Sequence, residues 1–64
     1  MQLADIKKGM TVRVIDRDNQ YYLQQGKVLS TMHELIPEKI HIRLCFDESG
    51  EVIPGYQPEQ LDWE

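Results

Sequence analysis

Gly9-Met10-Thr11-Val12-Arg13-Val14-Ile15-Asp16, followed ten residues later by Gly26-Lys27-Val28, is the stretch that decides the fold. Val12 and Val14 alternate with Thr11, Arg13 and Ile15, the period of two that lays one face of a strand on a core. Gly9 before this run and Gly26 before the next mark corners where a positive φ is expected. The pattern predicts a first strand over residues 11–16 and a second over residues 27–31 that returns the chain to it.

The rest of the chain supplies the remaining walls. Leu3 and Ile6 are spaced for one short turn, which Gly9 stops. Arg17-Asp18-Asn19-Gln20 is a polar run rich in turn formers. Tyr21-Tyr22-Leu23 re-enters an extended conformation, and Gln24-Gln25-Gly26 turns into the second strand. Residues 32–39 read as a loop with one turn: Thr31 and Glu34 fit a capping box, and Pro37 ends it. Residues 40–46 form the clearest strand, with Ile40, Ile42, Leu44 and Phe46 on one face and His41, Arg43 and Cys45 on the other. Asp47-Glu48-Ser49-Gly50 is a hairpin turn. A fourth strand over residues 51–53 is interrupted by Pro54-Gly55, residues 58–61 read as a 3₁₀ turn, and residues 62–64 as a closing strand.

Five short strands in so small a chain predict an all-β fold, a five-stranded SH3-like barrel with one 3₁₀ turn before the last strand. Closure also hides the strand edges that make small sheets aggregate. The expected core is Val12, Val14, Val28, Ile40, Ile42, Leu44, Phe46, Val52 and Leu61.

At 64 residues the chain is one domain. A chain of this size buries only about 60% of its unfolded surface, so stability is marginal unless a partner adds to it. Cys45 is the single cysteine, so there is no internal disulfide and no thiolate cluster for zinc. One free thiol and no signal peptide point to a reducing, cytoplasmic setting, with room for peripheral attachment to a membrane complex. No run approaches the roughly 20 apolar residues of a membrane-spanning helix.

The net charge of −4 conceals an asymmetry. Residues 1–32 carry five cations against three acids, whereas residues 33–64 carry two cations against eight acids. An acidic total disfavours non-specific nucleic-acid binding, which needs clustered Lys and Arg. A basic protein surface suits the C-terminal half better.

The opening strand, the long polar loop, the Gly-Lys-Val return and the 3₁₀ turn before the last strand resemble SH3-like small barrels, KOW-type domains among them. Gly9, Thr11-Val12-Arg13-Val14, Asp18, Tyr21-Tyr22, Gly26 and Val28 are similar to subunit S of the cyanobacterial and chloroplast NAD(P)H dehydrogenase complex. Lys7-Lys8-Gly9 and the ending Gln60-Leu61-Asp62-Trp63-Glu64 resemble subunit O of that complex. The resemblance implies a non-catalytic accessory subunit of a photosynthetic electron-transport assembly. Its expected partners are subunits of a membrane-associated redox complex or an electron carrier such as ferredoxin.

Catalytic and metal-binding readings find little purchase. An EF-hand loop starting at Asp16 would need Gly at its sixth position and Glu at its twelfth, and the chain has Tyr21 and Lys27 there. His33, His41 and Cys45 are the soft ligands, and on a strand His41 and Cys45 lie about 13 Å apart, too far to share an ion. Ser30 and Ser49 have no motif context, and the glycines are too dispersed for a phosphate loop. No enzyme activity, cofactor or metal is expected.

Binding is the better expectation. Tyr21 and Tyr22 sit on opposite sides of an extended segment, so one fills the core and the other offers an interface anchor. The alternative is that both simply pack the loop onto the barrel. Tyr56 and Trp63 extend the candidate surface, although Trp63 could instead cap the barrel's open end. Arg13, Arg17 and Arg43 complete the partner-binding set, against the plainer reading of scattered, solvated charges. A KOW-type module binding RNA or the ribosome through Lys7, Lys8, Arg13, Lys27 and Arg43 is the alternative function.

Overall fold

The computed structural model describes residues 1–33 and 40–64, with the backbone alone at Met32, His33 and Ile40. The strands are β1 (Thr11–Val14), β2 (Gln25–His33), β3 (Ile40–Phe46), β4 (Val52–Tyr56) and β5 (Leu61–Trp63). All pairings are antiparallel, and they build one sheet in the order β4-β3-β2-β1-β5. Among the described residues the helical elements are two 3₁₀ turns, Leu3–Asp5 and Pro58–Gln60. β1 therefore lies between β2 and the last strand of the chain, which gives the sheet the connectivity of a small SH3-like barrel.

The alternation in β1 and β3 becomes burial. Val12 and Val14 are enclosed while Thr11 and Arg13 are half-buried, and Ile42, Leu44 and Phe46 are enclosed while Arg43 is exposed. The core comprises Ile6, Val12, Val14, Val28, Ile42, Leu44, Phe46, Tyr56 and Leu61. Each fully enclosed aliphatic or aromatic side chain contributes about 1.5–3 kcal/mol of transfer free energy.

Val52 is the correction to the expected core. It is 48% exposed, because it pairs with Cys45 on the outer face of β3. Ile53 pairs with Leu44 in the same register, which then shifts so that Tyr56 pairs with Ile42 and turns inward. Ile6, carried in by the first 3₁₀ turn, adds a further buried side chain. The expected burial of Ile40 falls outside the described side chains.

Several boundaries also move. β1 ends at Val14 rather than residue 16, since the Ile15 N–H leaves the sheet to donate to the Gln60 carbonyl at 2.8 Å. β2 starts at Gln25, which pairs with Arg13, and runs on to His33. Met32 and His33 thus belong to a strand. The remainder of the loop expected over residues 32–39, with its capping box, lies outside the described residues. Pro54-Gly55 does not interrupt β4: it occupies the register shift on a strand at the end of the sheet order, where a missing N–H is tolerated. β5 spans Leu61–Trp63, one residue earlier than expected.

The two glycines of the opening motif serve different ends. Gly9 has φ +91° and makes the expected corner, its N–H donating to the Val28 carbonyl at 2.7 Å. Gly26 is ordinary strand, and a Cβ there would come within 3.1 Å of the Cys45 carbonyl oxygen. Close approach of β3, rather than a turn, selects glycine at that position.

Candidate functional site

Residues 15–24, between β1 and β2, form a succession of tight turns. Asn19 N–H donates to the Asp16 carbonyl, Tyr22 N–H to Asn19 and Gln24 N–H to Tyr21. The extended segment expected at Tyr21-Tyr22-Leu23 is therefore replaced by turns. Asp and Asn side-chain oxygens that accept from the backbone N–H two residues on favour this outcome. Asp16 Oδ1 accepts from Asp18 N–H at 3.0 Å, and Asn19 Oδ1 from Tyr21 N–H at 2.9 Å.

The same two side chains fasten the loop to the barrel. Asp16 Oδ2 accepts from Gln60 Nε2 at 2.9 Å, and Asn19 Oδ1 accepts from the Tyr56 hydroxyl at 2.9 Å. The Gln60 hydrogen bond, followed by that from Asp18, holds the Asp16 carboxyl below its ordinary pKa. Desolvation is the main cause that raises the Tyr56 phenol above its ordinary value. Tyr21 completes the docking. Its ring stacks on Phe46 with centroids 4.3 Å apart and planes 12° apart, and its hydroxyl donates to Glu51. That bond raises the Tyr21 phenol. Phe46 meets Tyr56 edge-on at 6.0 Å, so Tyr21, Phe46 and Tyr56 form one aromatic row.

Tyr21 and Tyr56 are thus the loop's attachment to the core. Tyr56, expected on the partner surface, is only 2% exposed. Of the adjacent tyrosines Tyr21 is half-buried and Tyr22 exposed, set apart by turns rather than by the extended segment expected.

The loop also carries apolar groups into solvent. Ile15 is 41% exposed, Tyr22 38% and Leu23 55%. Leu23 is also the one described non-glycine residue with positive φ, at +67°. It occupies the third position of the turn closed from Tyr21 to Gln24, where a positive φ ordinarily selects Gly or Asn. Two hydrogen bonds hold it there: Leu23 N–H donates to the Val14 carbonyl at 2.8 Å, and Val14 N–H to the Gln24 carbonyl at 3.0 Å. Sequence reasoning missed this residue. The available signal was a leucine standing between two tyrosines and two glutamines in a polar loop.

Leu23 borders a groove of about 260 Å³ lined also by Arg13, Gln24, Gln25, Asp47 and Glu48. A smaller recess of about 70 Å³, lined by Asn19, Ile53, Pro54, Gly55, Tyr56 and Gln60, lies where the loop meets β4. Both volumes fall below the roughly 300–1,000 Å³ typical of small-molecule and cofactor pockets.

The remaining candidates scatter. Arg13 is half-buried, opposite Asp62 of β5 and Gln25 of β2. Arg17 is exposed at the start of the loop. Arg43 is exposed on β3 opposite Ser30, whereas Lys27 is opposite Cys45, so the sheet staggers its basic residues. Trp63 is 57% exposed at the end of β5, paired with Val12. Among the described residues no group of three His, Cys, Asp or Glu could hold a metal ion, and no helix is long and apolar enough to cross a membrane.

The fold and surface define a small barrel-like all-β domain with one firmly docked, partly apolar loop. No protein-family profile, curated protein or solved structure matches the chain.

Proposed function

We propose that the chain is a non-catalytic protein-binding module that serves as a small accessory subunit of a larger complex. The sequence resemblance points to the photosynthetic NAD(P)H dehydrogenase as that complex. The observation that carries the reading is the exposure of Ile15, Tyr22 and Leu23 on a loop that Asp16 and Asn19 fasten to the core. A surface held rigid before binding loses little conformational entropy on association, and an exposed tyrosine can then act as an anchor. Arg17, at the start of the loop, and Trp63, on β5, are further exposed candidates.

The test is capture of dehydrogenase subunits from a photosynthetic membrane extract by the tagged chain and by its Tyr22→Ala variant. Tyr22 stands outside the core cluster, so the variant should keep the wild-type melting temperature and lose most of the capture. Equal capture by both proteins rejects the loop as the contact surface. Retention of RNA at low salt, falling steeply at moderate salt, would favour the KOW-type alternative.

A further inference from the structure

The groove beside Leu23 has a chemistry of its own, and it narrows the kind of partner the loop would meet. Its walls come from two places distant in sequence: the return arm of the loop and the first residue of β2 (Leu23, Gln24, Gln25), and the turn between β3 and β4 (Asp47, Glu48). The Asp47 N–H donates to the Gln25 carbonyl at 3.1 Å and ties the walls together. Arg13 lies between them.

The charges here do not cancel. Asp47 and Glu48 are both exposed, and neither carboxylate has a hydrogen-bond or ion-pair partner among the described residues. Glu51, in the same turn region, is engaged by the Tyr21 hydroxyl. Arg13 is the one cation of the lining, and Asp62 sits directly across from it on β5. The groove is therefore apolar on one wall, at Leu23, and acidic on the other.

We infer that this groove receives a basic segment of a protein partner, with a lysine or arginine side chain laid across Leu23 toward Asp47 and Glu48. Long cationic side chains suit such a place because the aliphatic stem covers apolar surface while the head group stays with carboxylates at the water boundary. Two carboxylates also outweigh the single Arg13 in attracting a cation, and they repel an acidic partner. The volume suits one side chain and adjoining backbone better than a cofactor. The inference rests on the protein-binding reading above and specifies which surface such a partner would present.

The experiment uses the intact chain and a defined probe. A capped pentapeptide alternating lysine and leucine is titrated into isotope-labelled protein while backbone amide shifts are followed, with the glutamate–leucine counterpart as control. Saturable shifts at Leu23, Gln24, Gln25, Asp47 and Glu48 are expected with the basic peptide alone. The paired change Asp47→Asn with Glu48→Gln should weaken that binding by at least about fivefold. No saturable shift at these residues, equal shifts with the acidic peptide, or unchanged affinity in the paired variant would each overturn the inference. The two proposals separate cleanly: full capture of the complex by the paired variant, with loss in Tyr22→Ala, leaves the loop reading standing and removes the groove.

Discussion

The two arms of the loop between β1 and β2 are built on opposite principles. The outgoing arm, residues 16–21, spends its polar side chains on the fold. Asp16 joins Asp18 to Gln60, Asn19 joins Tyr21 to Tyr56, and the Tyr21 ring lies on Phe46. The return arm, residues 22–24, makes its bonds through the backbone and leaves Tyr22 and Leu23 in solvent. A long loop in a marginal domain loses its advantage for binding if it must be ordered anew each time, because ordering costs about 1–2 kcal/mol per residue. Anchoring one arm keeps the other in place, so the loop can be both stable and available.

Asn19→Ala strikes that anchor hardest. It removes the acceptor shared by the Tyr21 N–H and the hydroxyl of buried Tyr56. Leaving a buried donor without a partner costs about 1–3 kcal/mol, a large share of the stability of so small a domain. Urea denaturation should show that loss. Adding Tyr56→Phe to Asn19→Ala should cost less than the two separate effects combined, since the stranded hydroxyl is then gone. Strict additivity would mean that the Asn19–Tyr56 bond does not hold the arm.

The same contrast explains what the sequence could disclose. Period-two alternation found β1, β3 and the inward faces of Val12, Val14, Ile42, Leu44 and Phe46, because burial on one face leaves a direct trace in residue order. Tyr56 turns inward because the register shifts at Pro54-Gly55, which the sequence marks as a break in β4 without showing that pairing resumes beyond it. Val52 lies before the shift and is exposed because it pairs with Cys45 on the outer face of β3. The docking of the loop joins Asn19 to Tyr56 and Asp16 to Gln60, pairs separated by 37 and 44 residues. Such long-range contacts follow from the packing of the loop against β4 and the second 3₁₀ turn and have no local signature. Leu23 was hidden for a related reason: its backbone angle is imposed by Val14, against the preference of its own side chain.

That conflict gives the second prediction. A non-glycine residue in the left-handed region costs about 1–2 kcal/mol, and the extra freedom of glycine in the unfolded chain returns about 0.5–1 kcal/mol of the relief. Leu23→Gly should therefore stabilise the domain by about 0.5–1 kcal/mol, seen as a rise in melting temperature, while weakening capture of the partner. A gain in stability with loss of binding would place the strain at a functional position. Unchanged capture would make Leu23 an incidental cost of the turn.

The smallest effects should come from pH, and they act on the outgoing arm. The Tyr21 phenol is raised chiefly by its bond to Glu51. A group whose pKa is higher in the folded state contributes stability that is complete below its unfolded value and fades as pH climbs through the folded one. The bond to Glu51 should therefore hold through neutral pH and weaken only on the alkaline side of the ordinary tyrosine range. Asp16 runs the other way. Its pKa is depressed by Gln60 and by the Asp18 N–H, so its contribution is complete above the unfolded value and is lost as pH falls through the lower folded one. The arm should thus stay docked over a broad plateau between an acid edge set by Asp16 and an alkaline edge set by Tyr21. Amide exchange at Asp18 and Tyr21 followed across pH, after correction for intrinsic rates, checks this, with Glu51→Gln expected to move the alkaline edge down and leave the acid edge in place. An alkaline edge that ignores Glu51→Gln would show that stacking on Phe46 alone holds Tyr21, and that the contrast between the arms rests on the Asp16 and Asn19 bonds.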